Sequence, residues 1–197
     1  MDAKTSFDLK DRLTLLLFCI AKIVLQYAVV NPVYELHRDE YLYLDQGRHL
    51  AWGYISVPPF TSWIAFIIQH LGNNVFWVRF FPALFGTLTL ILCWFIVVEL
   101  GGGLRGRIVM AMALICSVLA RLDILFQPNS FDIFSWTLIY FLLIRYVHRH
   151  ENKWLLWTGV ATGIAILNKY NVAFLLAGLL PAFLLTKERT IFRNPYL

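Results

Sequence analysis

The residues of this chain best suited to chemistry are His37-Arg38-Asp39-Glu40, four ionisable side chains in a row just after a long apolar stretch. Charge beside a bilayer face is costly to keep dry, and it is retained where it meets water, an ion, a head group or a substrate. Asp39 and Glu40 are therefore candidate catalytic carboxylates. Neighbouring residues on a helix diverge by about 100°, so the two cannot serve one atom equally. One can face a cavity while the other orients or caps. If the pair stood alone, a solvated helix start with its acids placed on the dipole would account for it.

A second acidic site lies in Phe126-Gln127-Pro128-Asn129-Ser130-Phe131-Asp132. Asn129 or Ser130 is expected to cap a helix, which would put Asp132 in its first turn. Two acidic sites far apart in sequence but on one membrane face could share a divalent cation, with Asp132 and Asn129 as its ligands, or hold a general base beside an acceptor. Cations accompany them: Arg38, Arg48, Arg79, Arg121 and Lys169. Any one of these can simply snorkel, whereas several converging on one cavity would suit a phosphate. His37, His49 and His70 lack the spacing that completes a zinc site. Lys22, near the middle of an apolar run, can snorkel or pair within a bundle.

The elements that must position these residues are mostly apolar. With 59% hydrophobic residues, 15% charged residues and a mean hydropathy of +0.66, the chain could not hide its apolar surface in a water-soluble core of 197 residues. The runs Leu13–Val30 and Phe76–Val98 approach or exceed the roughly 20 residues that cross about 30 Å of hydrocarbon. Ile108–Ala120, Ile133–Ile144, Trp154–Leu167 and Val172–Leu185 are shorter and must extend into their flanks or sit inside a bundle. The expected fold is thus an all-α integral membrane domain over residues 1–197, with about six transmembrane helices.

A long first outer loop, about residues 31–75, is expected to carry short interfacial helices. Asn31-Pro32 ends the first span, and Asp39–Leu50 predicts a short helix with Arg48 and His49 in its last turn. Pro58-Pro59 breaks the chain again. Phe60–Leu71 is too short to span and rich in aromatics. Gly101-Gly102-Gly103 reads as a turn, since no Lys-Ser/Thr follows it and no strand precedes it. Cys19, Cys93 and Cys116 fall in apolar runs and read as small buried hydrophobes.

The net charge of +5 is largely topology. Lys4, Lys10, Arg12, Arg105, Arg107, Arg145, Arg149, Lys153, Lys187, Arg189 and Arg193 share one face if six helices alternate, which predicts a cytoplasmic amino terminus and argues against a nucleic-acid partner. Glu35, Asp39, Glu40, Asp45, Asp123 and Asp132 take the other face. An uncleaved amino-terminal anchor fits better than a signal peptide.

Tyr34-Glu35-Leu36-His37-Arg38-Asp39-Glu40-Tyr41, then Gly47-Arg48-His49-Leu50-Ala51-Trp52-Gly53-Tyr54 and Pro58-Pro59, resemble the membrane glycosyltransferases of family 39. These have the GT-C fold and include protein O-mannosyltransferases and the aminoarabinose transferase that modifies lipid A. The likeness continues through Arg79-Phe80-Phe81-Pro82-Ala83, Glu99-Leu100-Gly101-Gly102, Gln127-Pro128 to Asp132-Ile133-Phe134-Ser135-Trp136, and Asn168-Lys169-Tyr170. It implies a polyprenyl-phosphate-linked sugar donor, an acceptor on the extracytoplasmic side of a prokaryotic cytoplasmic membrane, and inversion without a covalent sugar-enzyme intermediate. Asp39 matches the acid of the family's first outer loop, which implies a base or acceptor-positioning role, with Glu40 its neighbour. Arg38, Lys169, Arg121 and Arg48 are candidates for the phosphate.

The chain departs from the family pattern in places. Ser56-Val57 precede the double proline where the aminoarabinose transferase has Glu-Lys, which removes a phosphate-binding lysine. The second acidic position aligns with Asn129, leaving Asp132 as a one-turn substitute and metal use an open expectation. Family members are usually longer, so the resemblance implies the amino-terminal portion of a larger architecture. A transporter or channel-type subunit would instead need ionisable residues deep in several spans, for which Lys22 is the clear candidate. An inactive truncated fragment is the third reading.

Overall fold

Asp8 opens the first helix by accepting the Leu9 N–H at 2.7 Å, and α1 then runs over Leu9–Ala28. This computed structural model describes residues 8–30, 36–55 and 57–194, without the side chains of residues 190 and 193. The expectations for Lys4, Asn31-Pro32, Tyr34, Glu35, Ser56 and the Arg193 side chain fall outside that description. After α1 come two short helices, α2 (Arg38–Gln46) and α3 (Phe60–His70). Then follow α4 (Val75–Glu99), α5 (Leu104–Ile115), the single turn α6 (Leu119–Leu122), α7 (Pro128–Arg149), α8 (Asn152–Asn168) and α9 (Val172–Leu184). A 3-10 segment, Lys187–Arg193, ends the described chain, and no strand occurs among the described residues. Among the described residues, two helices, α4 and α7, are long and apolar enough by themselves to cross a membrane.

Contacts at the helix ends set the packing. Tyr27 near the end of α1 stacks on Phe76 at the start of α4, while Asp11 near the start of α1 pairs with Arg107 near the start of α5 at 3.0 Å. Glu99 at the end of α4 pairs with Arg145 and Arg149 at the end of α7. Asn168 at the end of α8 donates to Pro128 O at the start of α7. Successive long helices therefore alternate in direction, and the starts of α4, α7 and α9 meet the ends of α1 and α8 at one end of the bundle. The α2–α3 pair covers that end.

Packing there is tight and aromatic. Phe60, Phe85 and Phe126 all meet the fully buried Phe131 edge-on, and Ala65 and Ile68 of α3 are also fully buried. A β-carbon on Gly47 would come within 2.8 Å of Ala65, so glycine is what lets the end of α2 approach α3 this closely. Separate apolar clusters join α7, α8 and α9 through Ile139, Ala165 and Val172, and α4 to α5 through Leu90, Trp94 and Ala111.

Several expected boundaries are corrected. The short outer-loop helix ends at Gln46 with Gly47 as its cap, so Arg48 and His49 lie in the following turn; the Tyr54 hydroxyl holds that turn by sharing its one hydrogen between the carbonyls of Gln46 and His49. Pro128, not Asn129 or Ser130, opens α7, since a missing N–H costs nothing at the first helical position. Asp132 consequently lies beyond the first turn. The run Ile108–Ala120 breaks between α5 and α6. There the Ser117 hydroxyl donates to Leu114 O at 2.9 Å and accepts from Leu119 N at 3.2 Å, offering the backbone a local alternative to the helix ladder. Cys116, at that break, is exposed rather than buried.

Candidate functional site

The start of α2 is fixed by a reciprocal cap. His37 Nδ1 accepts the Asp39 N–H at 3.2 Å, and Glu40 Oε2 accepts the His37 N–H at 2.6 Å. The helical divergence expected for adjacent acids then sends the two carboxylates to different surroundings. Glu40 is fully buried. Its Oε1 accepts from Arg79 Nη1 of α4 and from the Phe126 N–H at 2.7 Å, and the same Arg79 nitrogen donates to Ile124 O at 2.8 Å. Both Glu40 oxygens are thus engaged: Oε2 closes the cap of α2, and Oε1 ties α2 to α4 and to the segment that leads into α7. Arg79, one of the cations expected to converge on phosphate, is held in this pair.

Asp39 faces outward, with its side chain 40% exposed. The neighbouring Arg38, 92% exposed, donates from Nε to Asp39 Oδ1 at 3.4 Å. Gln127 Nε2 donates to Asp39 Oδ2 at 3.2 Å and lies 3.3 Å from His37 Nδ1. Gln127 Oε1 accepts from Asn129 Nδ2 at 3.1 Å, and Asn129 Oδ1 accepts from Lys169 Nζ at 3.1 Å. A continuous hydrogen-bonded chain, Asp39–Gln127–Asn129–Lys169, therefore joins a carboxylate on α2 to an ammonium between α8 and α9. Backbone geometry supports it: α8 stops at Asn168, and Lys169 is extended, at φ −159°, ψ 133°. Asn168 Nδ2 and Oδ1 reach Pro128 O at 3.0 Å and Thr61 Oγ1 at 3.3 Å, pinning this turn to α7 and α3.

Asp132 lies on the same helix as Asn129, almost one turn further in, and its Oδ2 accepts from Asn171 Nδ2 at 2.7 Å. Three buried polar atoms in this region, Ser130 Oγ, Asp132 Oδ1 and Asn171 Oδ1, have no partner, which is uncommon for buried groups. Burial, and then the negative charge of Asp39, push the Tyr43 phenol of α2 up from its ordinary range.

The structure thus brings Asp39, Arg38, Asn129 and Lys169 together, with Asp132 just behind. It separates Arg48 and Arg121 from them. Arg48 borders a distinct cleft of about 410 Å³ with Tyr41, Asp45 and Asn73, and Arg121 is exposed on α6. Among the described residues, no hydrogen bond joins either arginine to the Asp39–Lys169 chain. Nor do any three His, Cys, Asp or Glu side chains gather closely enough there to hold a metal ion. The Asn129 carboxamide oxygen, one of the two expected metal ligands, accepts from the Lys169 ammonium instead. Gln127 is the central link, to which sequence reasoning gave no role; its signals are its place in the run that carries the family likeness and a polar side chain set between Phe126 and Pro128 just before the helix.

Residues 56–197, more than two thirds of the chain, match the family model described as dolichyl-phosphate-mannose-protein mannosyltransferase. The matched region includes Gln127, Asn129, Asp132 and Lys169 and begins after Asp39 and Glu40. No curated protein and no solved structure matches the chain.

Proposed function

The chain belongs to the dolichyl-phosphate-mannose-protein mannosyltransferase family, membrane glycosyltransferases of the GT-C type, and from that premise we propose a specific reaction. A sugar passes from a polyprenyl-phosphate donor to an acceptor hydroxyl or amine at the outer face of a prokaryotic cytoplasmic membrane. The observation that carries this reading is the Asp39–Gln127–Asn129–Lys169 chain, which sets a partly exposed carboxylate and a cation on one end of the bundle.

In this proposal Asp39 takes the acceptor proton as the acceptor attacks the anomeric carbon. The bond from that carbon to the phosphate oxygen breaks, its electron pair leaves with the lipid phosphate, and Lys169 and Arg38 balance the charge that develops. One displacement inverts the anomeric centre. Gln127 keeps the base and the phosphate side in register, and Glu40 holds the helix that carries Asp39. The sugar is a hexose or pentose, and the acceptor is a lipid, glycan or protein.

The same reading orients the protein. Six of the alternating helices, α1, α4, α5, α7, α8 and α9, cross the membrane, and the amino terminus is cytoplasmic because Arg107, Arg145, Arg149 and Lys153 lie at the end away from Asp39. Lys22, the deep ionisable residue a transporter would need, is paired with Asp123.

The test is transfer from radiolabelled polyprenyl-phosphate sugars in membranes carrying the native chain or Asp39→Asn. Transfer by the native chain and a drop of about 10²- to 10⁴-fold in the variant are expected. Equal transfer by both would sink the assignment of the base.

A further inference from the structure

At the end of the bundle remote from Asp39, the last turns of α7 and the start of α8 gather cations around one ring. Arg145 Nε and Arg149 Nη2 both donate to Glu99 Oε1, at 2.7 and 3.1 Å. The Arg145 guanidinium lies 4.7 Å from the Phe141 ring centre and 4.6 Å from that of Trp154. Arg149 and Lys153 approach the same Trp154 ring at 5.9 and 5.1 Å. Lys153 also pairs with Glu151, whose carboxyl is held below its usual range by that lysine and, to a lesser extent, by Arg149. Three fixed cations therefore meet two carboxylates, and the excess positive charge sits on the outermost pair, Arg149 and Lys153, with side chains 44% and 59% exposed.

An apolar groove of about 360 Å³ begins at this cluster. It runs along the seam of α7 and α8, from Trp154 over Leu138, Leu142, Trp157, Ala161 and Ile164. Leu138, Leu142, Arg145 and Arg149 follow one another at spacings of four, three and four, so a single face of α7 is apolar at first and cationic at its end. Trp154, Trp157, Ala161 and Ile164 repeat in the same way on α8. Trp157 and Ile164 are 56% and 45% exposed, so the groove opens sideways, where lipid would lie.

We infer that this seam binds an anionic phospholipid of the leaflet at that end, one acyl chain along the groove and the phosphate between Arg149 and Lys153. Any acyl chain would fit the apolar part; the net charge at its head selects among lipids, because a zwitterionic head group brings its own cation against the same three. The occupant is not a reacting sugar donor. The 22 residues of α7 at about 1.5 Å each put this cluster on the order of 30 Å from the Asp39 end. The lipid site stands whether or not the proposed transfer reaction does.

The full chain reconstituted in phosphatidylcholine vesicles, with a small fixed fraction of brominated phosphatidylglycerol or brominated phosphatidylcholine, tests this by quenching of tryptophan emission. The brominated anionic lipid is expected to quench about five times more effectively per mole than the zwitterionic one, the scale of one net cation at a membrane surface. Arg149→Gln with Lys153→Gln should erase the difference, and Trp157→Phe should remove most of the quenching that carries it. Glu151→Gln keeps every cation and removes an opposing charge, so it should widen the difference. Equal quenching of the native protein by both lipids would overturn the inference, as would a preference that Glu151→Gln leaves unchanged or lowers.

Discussion

Lys22, in the middle of α1, donates to the Asp123 carboxylate across 2.7 Å, and neither side chain is more than 5% exposed. Asp123 begins the segment whose next residues bind Arg79 through Ile124 O, Glu40 through Phe126 N and Asp39 through the Gln127 amide. The ion pair is therefore the inner anchor of a strap that ends at the candidate base. Removing one partner of a buried pair leaves an uncompensated charge, which costs about 3–5 kcal/mol, whereas replacing both with apolar groups of similar shape can be nearly neutral. Lys22→Met is expected to unfold at markedly lower denaturant, and Lys22→Met with Asp123→Leu to recover most of the loss. A double variant no better than the single one would refute this account of the pair.

Gly86 of α4 reports on the same anchor from the other side. A β-carbon there would overlap the Asp123 carboxylate, and little free space surrounds the pair to absorb it. Gly86→Ala should cost about 1–3 kcal/mol by overpacking. Combined with Asp123→Ala, which makes room, the alanine at position 86 should cost much less than it does alone. Thermal unfolding in detergent of the four proteins of this cycle measures the coupling.

Adjacent carboxylates should behave in opposite ways. Asp39 is partly exposed and replaceable without loss of packing, so Asp39→Asn should keep stability within about 0.5 kcal/mol while transfer falls. Glu40→Gln leaves Arg79 buried without its counter-charge, which should cost about 3–5 kcal/mol of stability and lower transfer only as folded protein is lost. Measuring unfolding and transfer on the same preparations separates the two, and a stable Glu40→Gln protein would contradict the anchoring role.

Some of this was legible from sequence, and the reasons differ from residue to residue. The position of α2 followed from its charged start, and its divided acids from helical geometry, because both are local. Six apolar runs lie on α1, α4, α5, α7, α8 and α9, though the break of the third run at Ser117 depends on a single hydroxyl that periodicity does not register. The Lys22–Asp123 and Glu40–Arg79 pairs were not legible: their members are 101 and 39 residues apart, and each cation had an ordinary alternative in snorkelling. Arg48 and Arg121 shared the predicted face with Asp39, but sharing a face does not bring side chains together. Gln127 was hidden for a related reason, since an amide that only links other groups has no chemistry of its own to draw notice.

That linking role of Gln127 can be tested apart from stability. Its amide nitrogen donates to Asp39 and its oxygen accepts from Asn129, so both ends of the side chain matter and only an amide of this length serves both. Gln127→Glu keeps the acceptor but replaces the donor with a second negative charge against Asp39, so transfer should fall more than in Gln127→Ala. Gln127→Ala removes both bonds without adding charge, so transfer should fall less while the fold is kept. Lys169→Met should instead weaken stabilisation of the leaving phosphate, lowering the turnover number by about 10²- to 10³-fold. Transfer and thermal unfolding of the three variants distinguish a residue that sets the base from one that only fills space: full transfer by Gln127→Glu would show that the amide does not govern Asp39.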